Sequence, residues 1–385
     1  MTPGARIAAA IGVLDRVIAG EPAEKALVNW ARGSRFAGSG DRAAVRDHAF
    51  DALRQMNTAA AMGGGMTGRG LMLGVLRGRG EDIDALFTGE GHSPAKVGPE
   101  DAPRTATEIE ALDCPEWLIP QMKSSLGDDF EAVMNLLQTR APVFLRANVA
   151  RLTLAQVIAT LESENIVAVP HPLSSAALEV TEGWRRIANS DTFAEGLVEL
   201  QDAASQAVVD MLPLSPGMKV LDYCAGGGGK TLAMAARSKK LDILAHDIDP
   251  RRMGDLPVRA KRAGAKVRTV RTQDLKGGND LVLVDAPCSG SGAWRRSPEA
   301  KWRLEPARLA HLVGLQDKIL DETAALVRPG GWLAYATCSL LDVENGERIA
   351  AFLQRHPGFT VEKTLRLTPI DGGDGFYAVL MKAPA

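Results

Sequence analysis

Apolar residues follow two rhythms along this chain. Over the first 76 residues they recur at helical spacing. Ile7, Ile11, Leu14 and Ile18 predict a helix over residues 5–19, and Leu27 and Trp30 a second from Pro22, a residue suited to a first helical position. Val45, Phe50, Leu53 and Met56 predict a third, capped by Gly40-Asp41, and Leu71 to Leu76 a fourth. This is an all-helical N-terminal unit. Gly89 to Arg104 is rich in Gly, Pro and acids and predicts a surface linker or long loop. Helical structure resumes after Cys114-Pro115, where Cys114 is expected to be a half-buried structural thiol.

The rhythm changes at Val143. Val143 to Asn148 reads as a strand, Leu152 to Leu161 as a helix, and Ile166 to Val169 and Ala177 to Val180 as further strands. From residue 201 short apolar runs alternate with helices. The runs are Met218 to Leu221, Ile243 to His246, Val267 to Val270, Leu281 to Val284 and Trp332 to Ala336. That alternation predicts an α/β fold with a doubly wound, Rossmann-like parallel sheet. Three domains follow: helical over 1–137, small and α+β over 138–200, and α/β over 201–385.

Composition adds limits. No run of eighteen apolar residues exists, and the N-terminus lacks the pattern of a signal peptide. The four cysteines are too few for a disulfide framework and match no zinc spacing, so a reducing cytoplasm and no metal are expected. The formal net charge is −2, which disfavours a nucleic-acid partner. The charge is uneven, however: between Lys230 and Arg308 bases exceed acids by about nine, and between Glu81 and Glu131 acids exceed bases by about ten. A basic face could therefore meet phosphates locally.

Candidate chemistry sits at three strand ends: Asp222-Tyr223-Cys224-Ala225-Gly226-Gly227-Gly228-Gly229-Lys230-Thr231, Asp285-Ala286-Pro287-Cys288-Ser289-Gly290, and Tyr335-Ala336-Thr337-Cys338-Ser339. The C-terminal ends of parallel strands are where α/β folds bind ligands. The glycine string lets a ligand approach the backbone, and the helix after it offers free N–H groups. Three ligand classes fit such a loop. A P-loop needs glycine where Cys224 stands. A dinucleotide loop needs glycine where Thr231 or Leu232 stands. The third class is S-adenosylmethionine. Asp247, ending the next strand, can accept from both ribose hydroxyls of a nucleoside, while Asp249 suits a helix cap.

Together the strings resemble the Sun/RsmB family of RNA cytosine-5 methyltransferases. The glycine string is similar to that family's Asp-x-Cys-Ala-Ala-Pro-Gly-Gly-Lys-Thr, with Gly226 and Gly227 in place of Ala and Pro. The resemblance implies that Cys224, Ala225, Gly226, Gly227, Gly228, Gly229, Lys230, Asp247, Asp274 and Asp285 bind S-adenosylmethionine. It implies that Cys338 of Thr-Cys-Ser attacks the base while Cys288 of Pro-Cys assists product release. The helical start looks like a NusB-like RNA-binding domain, and residues 138–200 like an RRM-like subdomain. Trp294 to Trp302 resembles the family's Arg-Arg-x-Pro-x-x-Lys-Trp, and Val343 to Glu347 its Glu-Asn-Glu.

The chemistry gives each residue type a task. A thiolate adding to carbon 6 of cytosine turns carbon 5 into a nucleophile for the methyl group. Asp285, if protonated, can donate at N3. Lys230, Arg295, Arg296 and Lys301 are candidates for lowering the thiol pKa. The Trp302 segment suits either phosphate contact and base stacking or packing on a helix. Charge placement at a helix N-terminus suffices to explain Glu344. The expected function is methylation of an RNA cytosine, in 16S rRNA, by a monomeric enzyme. Alternatives are a tRNA substrate, a non-catalytic assembly factor and a P-loop hydrolase.

Overall fold

The computed structural model describes all 385 residues. The chain forms two compact units, one of residues 1–140 with 294–304, the other of 141–293 with 305–385. No helix is long and apolar enough to cross a membrane.

The first unit is helical. Its main helices are α1 (Pro3–Ile18), α2 (Ala23–Gly33), α3 (Ser39–Arg54), α4 (Met56–Gly63), α5 (Gly68–Gly78), α6 (Ile119–Leu126) and α7 (Phe130–Leu137). The predicted apolar stripes meet in one core with Ile7, Leu14, Val45, Leu53 and Leu71. One helix was not foreseen. The third predicted helix, which included Met56, breaks at Gln55, and α4 starts there. The first N–H groups of α4 find their acceptor far away in sequence: Asp113 Oδ1 accepts from Asn57 N and Thr58 N at 2.7 and 3.1 Å. α4 then packs backbone to backbone on α5. A Cβ on Gly74 would lie 1.9 Å from the Ala59 carbonyl oxygen. Of the predicted linker or long loop, the structure has the loop, tied to the unit: Asp101, 3% exposed, is ion-paired with Arg69 at 2.8 Å.

Residues 294–304 complete this unit as a strap. The last carbonyls of α3 lack intrahelical partners, as at any helix end. Trp302 Nε1 donates to the Leu53 carbonyl at 2.7 Å and Lys301 Nζ to the Arg54 carbonyl at 3.2 Å. At the opposite kind of end, the Glu299 carboxylate accepts from Ala23 N, the first N–H of α2, at 2.8 Å. Arg54 Nε donates to the Arg295 carbonyl at 2.8 Å, and Trp294 is fully buried. Trp302 and Lys301 are thus helix caps, and packing on a helix accounts for this segment. Cys114 is 1% exposed, and burial pushes its thiol up to about 12.

The second unit contains two sheets. The smaller is antiparallel with order β2-β3-β1-β4, from β1 (Val143–Ala147), β2 (Val167–Pro170), β3 (Ala177–Glu182) and β4 (Val198–Leu200), covered by α8 (Leu154–Ser163). α9 (Ala203–Asp210) leads into the larger part. There β5 (Lys219–Asp222), α10 (Gly229–Arg237), β6 (Asp242–Ala245), α11 (Leu256–Ala263), β7 (Val267–Thr269), β8 (Asn279–Asp285), α12 (Pro306–Ala324), β9 (Val327–Thr337), α13 (Gly346–Arg355), β10 (Thr360–Leu367) and β11 (Phe376–Lys382) follow. The seven strands have order β10-β11-β9-β8-β5-β6-β7. β9, β8, β5, β6 and β7 are parallel; β11 runs antiparallel to β9, and β10, antiparallel to β11, shares the direction of the parallel set. Strand alternation divides the core between the two faces: Leu281, Leu283 and Ala334 pack on one, Val282, Val284 and Tyr335 on the other. The chain reverses direction across the sheet between β5 and β8, so a crevice opens at their C-terminal ends.

Candidate active site

That crevice is a cavity of about 520 Å³. Its wall holds the glycine string, the ends of β5 and β8, and the loops carrying Cys288 and Cys338. Of the expected site residues, Cys224, Ala225, Gly226, Gly227, Gly229, Lys230, Asp285, Cys288 and Cys338 line it. Asp247, Asp274 and Gly228 do not.

The glycine string bends as its composition allows. Gly226 and Gly228 have φ of +52° and +79°, a region that side chains rarely adopt. Asp247, 2% exposed, braces the bend from behind. Its Oδ2 accepts from Gly226 N at 2.9 Å and from Arg252 Nη1 at 3.0 Å. Asp274 lies in an exposed turn, ion-paired with Arg271 at 3.0 Å.

Asp222 was read from sequence only as a strand end, yet it lines the cavity. Its Oδ2 accepts from Thr231 Oγ1 at 2.6 Å, and its buried Oδ1 has no donor. Burial pushes this carboxyl up to about 7. The small sheet supplies a second unforeseen contribution. Arg146 of β1, 5% exposed, donates to Gln201 Oε1 and, at 2.6 Å, to the Gly229 carbonyl at the start of α10. Burial lowers Arg146 to about 10. Gln201 and Ser205 are themselves cavity wall. Arg146 belongs to a Leu-Arg-x-Asn string that also resembles the family, but that string says nothing of the cavity, and a Gln before a helix carries no motif.

The two thiols face each other, with Cys288 Sγ 3.5 Å from Cys338 Sγ. The neighbouring Cys338 sulfur, burial and the Glu344 charge together push the Cys288 thiol well above its ordinary value. Glu344 is the residue whose sequence explanation the structure replaces. Rather than serving a helix end from the surface, it is 0% exposed. Its carboxylate accepts from Ser289 N at 2.8 Å, Ser289 Oγ, Ser339 Oγ at 2.5 Å and Gln316 Nε2 at 3.0 Å. One carboxylate therefore joins the residue after Cys288 to the residue after Cys338. Asn345 adds a hydrogen bond to the Ser339 carbonyl at 2.9 Å. Beside the thiols, Lys230 Nζ donates to Asp285 Oδ2 at 2.8 Å. The other cations considered from sequence, Arg295, Arg296 and Lys301, belong to the strap of the helical unit.

A glycine cradle, an orphaned carboxylate oxygen and a closely held thiol pair suit a small polar ligand beside a second, thiol-reactive one. Comparison with known proteins agrees. A family model for the 16S rRNA methyltransferase RsmB/F matches residues 209–378, and a model for an RsmF/B-like ferredoxin-like domain matches residues 114–185. The chain belongs to the Sun/RsmB family. Among curated members, ribosomal RNA small subunit methyltransferase B of Yersinia enterocolitica is 32% identical over 278 residues, covering 68% of this chain and 65% of that protein. Its counterpart in Yersinia pseudotuberculosis is 33% identical over 284 residues, covering 70% and 66%. The chain thus spans just under two thirds of the length of these Sun/RsmB relatives.

Solved structures share the fold. PH0851 superposes over 99% of both chains with a TM-score of 0.76 at 24% identity. A methyltransferase homologue from Pyrococcus horikoshii covers 71% of this chain and 96% of its own, with a TM-score of 0.62 at 22% identity.

Proposed function

We propose that this Sun/RsmB protein methylates carbon 5 of a cytosine in 16S rRNA, using S-adenosylmethionine. The observation that carries this is the pair of thiols 3.5 Å apart in the wall of the glycine-loop cavity. A second thiol can assist the departure of a nucleophilic one, and one cavity holds both beside a cofactor cradle.

The cofactor fits the residues present. Asp222 Oδ1 lacks a donor, and an amino-acid ammonium would supply one. Gly226, Gly227 and Gly229 leave the wall open to close approach; a Cβ at Gly226 would lie 3.2 Å from Arg252 Nη2. Asp247 would take the ribose hydroxyls with the acceptor capacity left beside its Gly226 and Arg252 contacts. When bound, the cofactor supplies an electrophilic methyl group.

The chain's own groups do the rest. The Cys338 sulfur adds to carbon 6, and the displaced electron pair moves through the ring towards N3. The Lys230–Asp285 pair supplies the proton that N3 takes up. After methylation the carbon 5 proton passes to water, the carbon–sulfur bond breaks with its electron pair returning to Cys338, and N3 gives its proton back to the Lys230–Asp285 pair. The raised pKa keeps a proton on Cys288, whose S–H donates to the departing sulfur.

The test is transfer of labelled methyl to 16S rRNA, with bisulfite sequencing to locate the product. A paired, stacked cytosine hides carbon 6, so free rRNA should be modified faster than mature subunits. Modification of tRNA alone would move the substrate class. S-adenosylhomocysteine should raise the unfolding midpoint, less so in Asp247→Ala. Stabilisation by ATP and magnesium instead would reject the cofactor.

A further inference from the structure

Three cations line the cavity: Lys230, Arg252 and Arg308. Two are engaged, Lys230 with Asp285 at 2.8 Å and Arg252 with Asp247 at 3.0 Å. Arg308 is exposed and makes no hydrogen bond or ion pair. It stands in the first turn of α12, where a cation opposes the helix macrodipole. Helix stability therefore gives no reason for a cation at this position.

Position does. Leu312 and Gln316 follow Arg308 at four-residue steps, so the three share one face of α12. Leu312 is 2% exposed and Gln316 0%. Gln316 Nε2 donates to the carbonyl of Pro287, beside Cys288, at 2.9 Å. The stripe runs from the thiol loop to the cavity rim, about 12 Å along the helix. A cytosine ring entering beside the thiols is uncharged. Its nucleotide's phosphodiester is an anion that cannot follow it into a wall whose other cations are already paired.

We infer that Arg308 is the phosphate contact of the target nucleotide, holding the RNA backbone at the rim while the base occupies the cavity. This rests on the RNA methyltransferase function proposed above. Guanidinium groups bind phosphate through two parallel hydrogen bonds, which fixes orientation as well as charge. Arg308 would set the depth to which the base enters.

The experiment compares wild type, Arg308→Ala and Arg308→Lys with a 16S rRNA transcript. Arg308→Ala should raise the KM for RNA about tenfold, the size of one charge-assisted hydrogen bond, and change kcat little. The slope of log binding constant against log salt should become less negative by about 0.7, the loss of one phosphate contact on single-stranded RNA. Arg308→Lys should restore the slope and only part of the KM. S-adenosylhomocysteine affinity should not move. An unchanged salt slope in Arg308→Ala overturns the inference, and a weakened S-adenosylhomocysteine affinity assigns Arg308 to the cofactor carboxylate instead. Failure of the wild type to methylate RNA would reject the proposed function, while the equilibrium salt slope would still report on Arg308.

Discussion

Glu344 and Lys301 are both charged and both closed to solvent, at 0% and 1% exposure, in different units of the molecule. Glu344 collects donors from two loops, and both loops end in a cavity. Lys301 has one carbonyl, a Trp302 ring 4.8 Å away and the more distant Asp113 charge. Burial pushes it down to about 8. A buried charge does not by itself mark a reaction centre. What lies beyond its partners decides: for Glu344, the thiols next to Ser289 and Ser339 in a cavity wall; for Lys301, a helix end.

The sharpest way to break this contrast is at the thiols that Glu344 aligns. Cys338→Ala should reduce methyl transfer to background and form no RNA adduct. Cys288→Ala should attack but release slowly, so a protein–RNA species should survive a denaturing gel and vanish in the double variant. Trapping in Cys338→Ala instead would exchange the two roles. Glu344→Ala should lower turnover about a hundredfold, as expected for a misplacement near 1 Å. It should also cost roughly 1–3 kcal/mol for each donor stranded in the core. Urea unfolding with and without S-adenosylhomocysteine separates the two effects, because the ligand should still stabilise the variant.

Lys301→Met probes the other side. The unfolded chain holds a lysine proton to about pH 10.4, whereas folded Lys301 loses it near 8. Between those values the unfolded state binds more protons, so wild-type stability should rise with pH by about 3 kcal/mol from this group. Lys301→Met should abolish that rise and be the more stable protein below pH 8, as followed by urea midpoints. The smallest effect concerns Asp222. Its folded carboxyl titrates near 7, and only the anion attracts an ammonium. S-adenosylhomocysteine should bind about tenfold tighter at pH 8 than at pH 6, and Asp222→Asn should flatten that dependence in calorimetry.

Sequence legibility followed the range of the interactions. Leu281 to Val284 is an uninterrupted apolar run, so a central strand was plain and Asp285 at its end was found. The glycine string and both cysteines are local words of the same kind. α4 was missed because its cap is Asp113, more than fifty residues away. Glu344 was misread because nothing near it in sequence says that its side chain reaches Ser289. The strap showed a basic, aromatic composition that suits RNA equally well. Only the carbonyls of Leu53 and Arg54 reveal what Lys301 and Trp302 hold.

The strap also bears on how the protein is born. Ribosomes add roughly 5–20 residues per second, so the strap's first residue, Trp294, follows Arg140 by something like 8–30 s of synthesis. Through that interval the emerging helices of the first unit carry open ends at Ala23, Leu53 and Arg54. Their closure waits until the nascent chain has passed the Pro-Cys loop. A truncated product ending before residue 294 would therefore leave the tunnel with neither unit finished, and quality-control proteases would meet frayed helix termini rather than an autonomous domain.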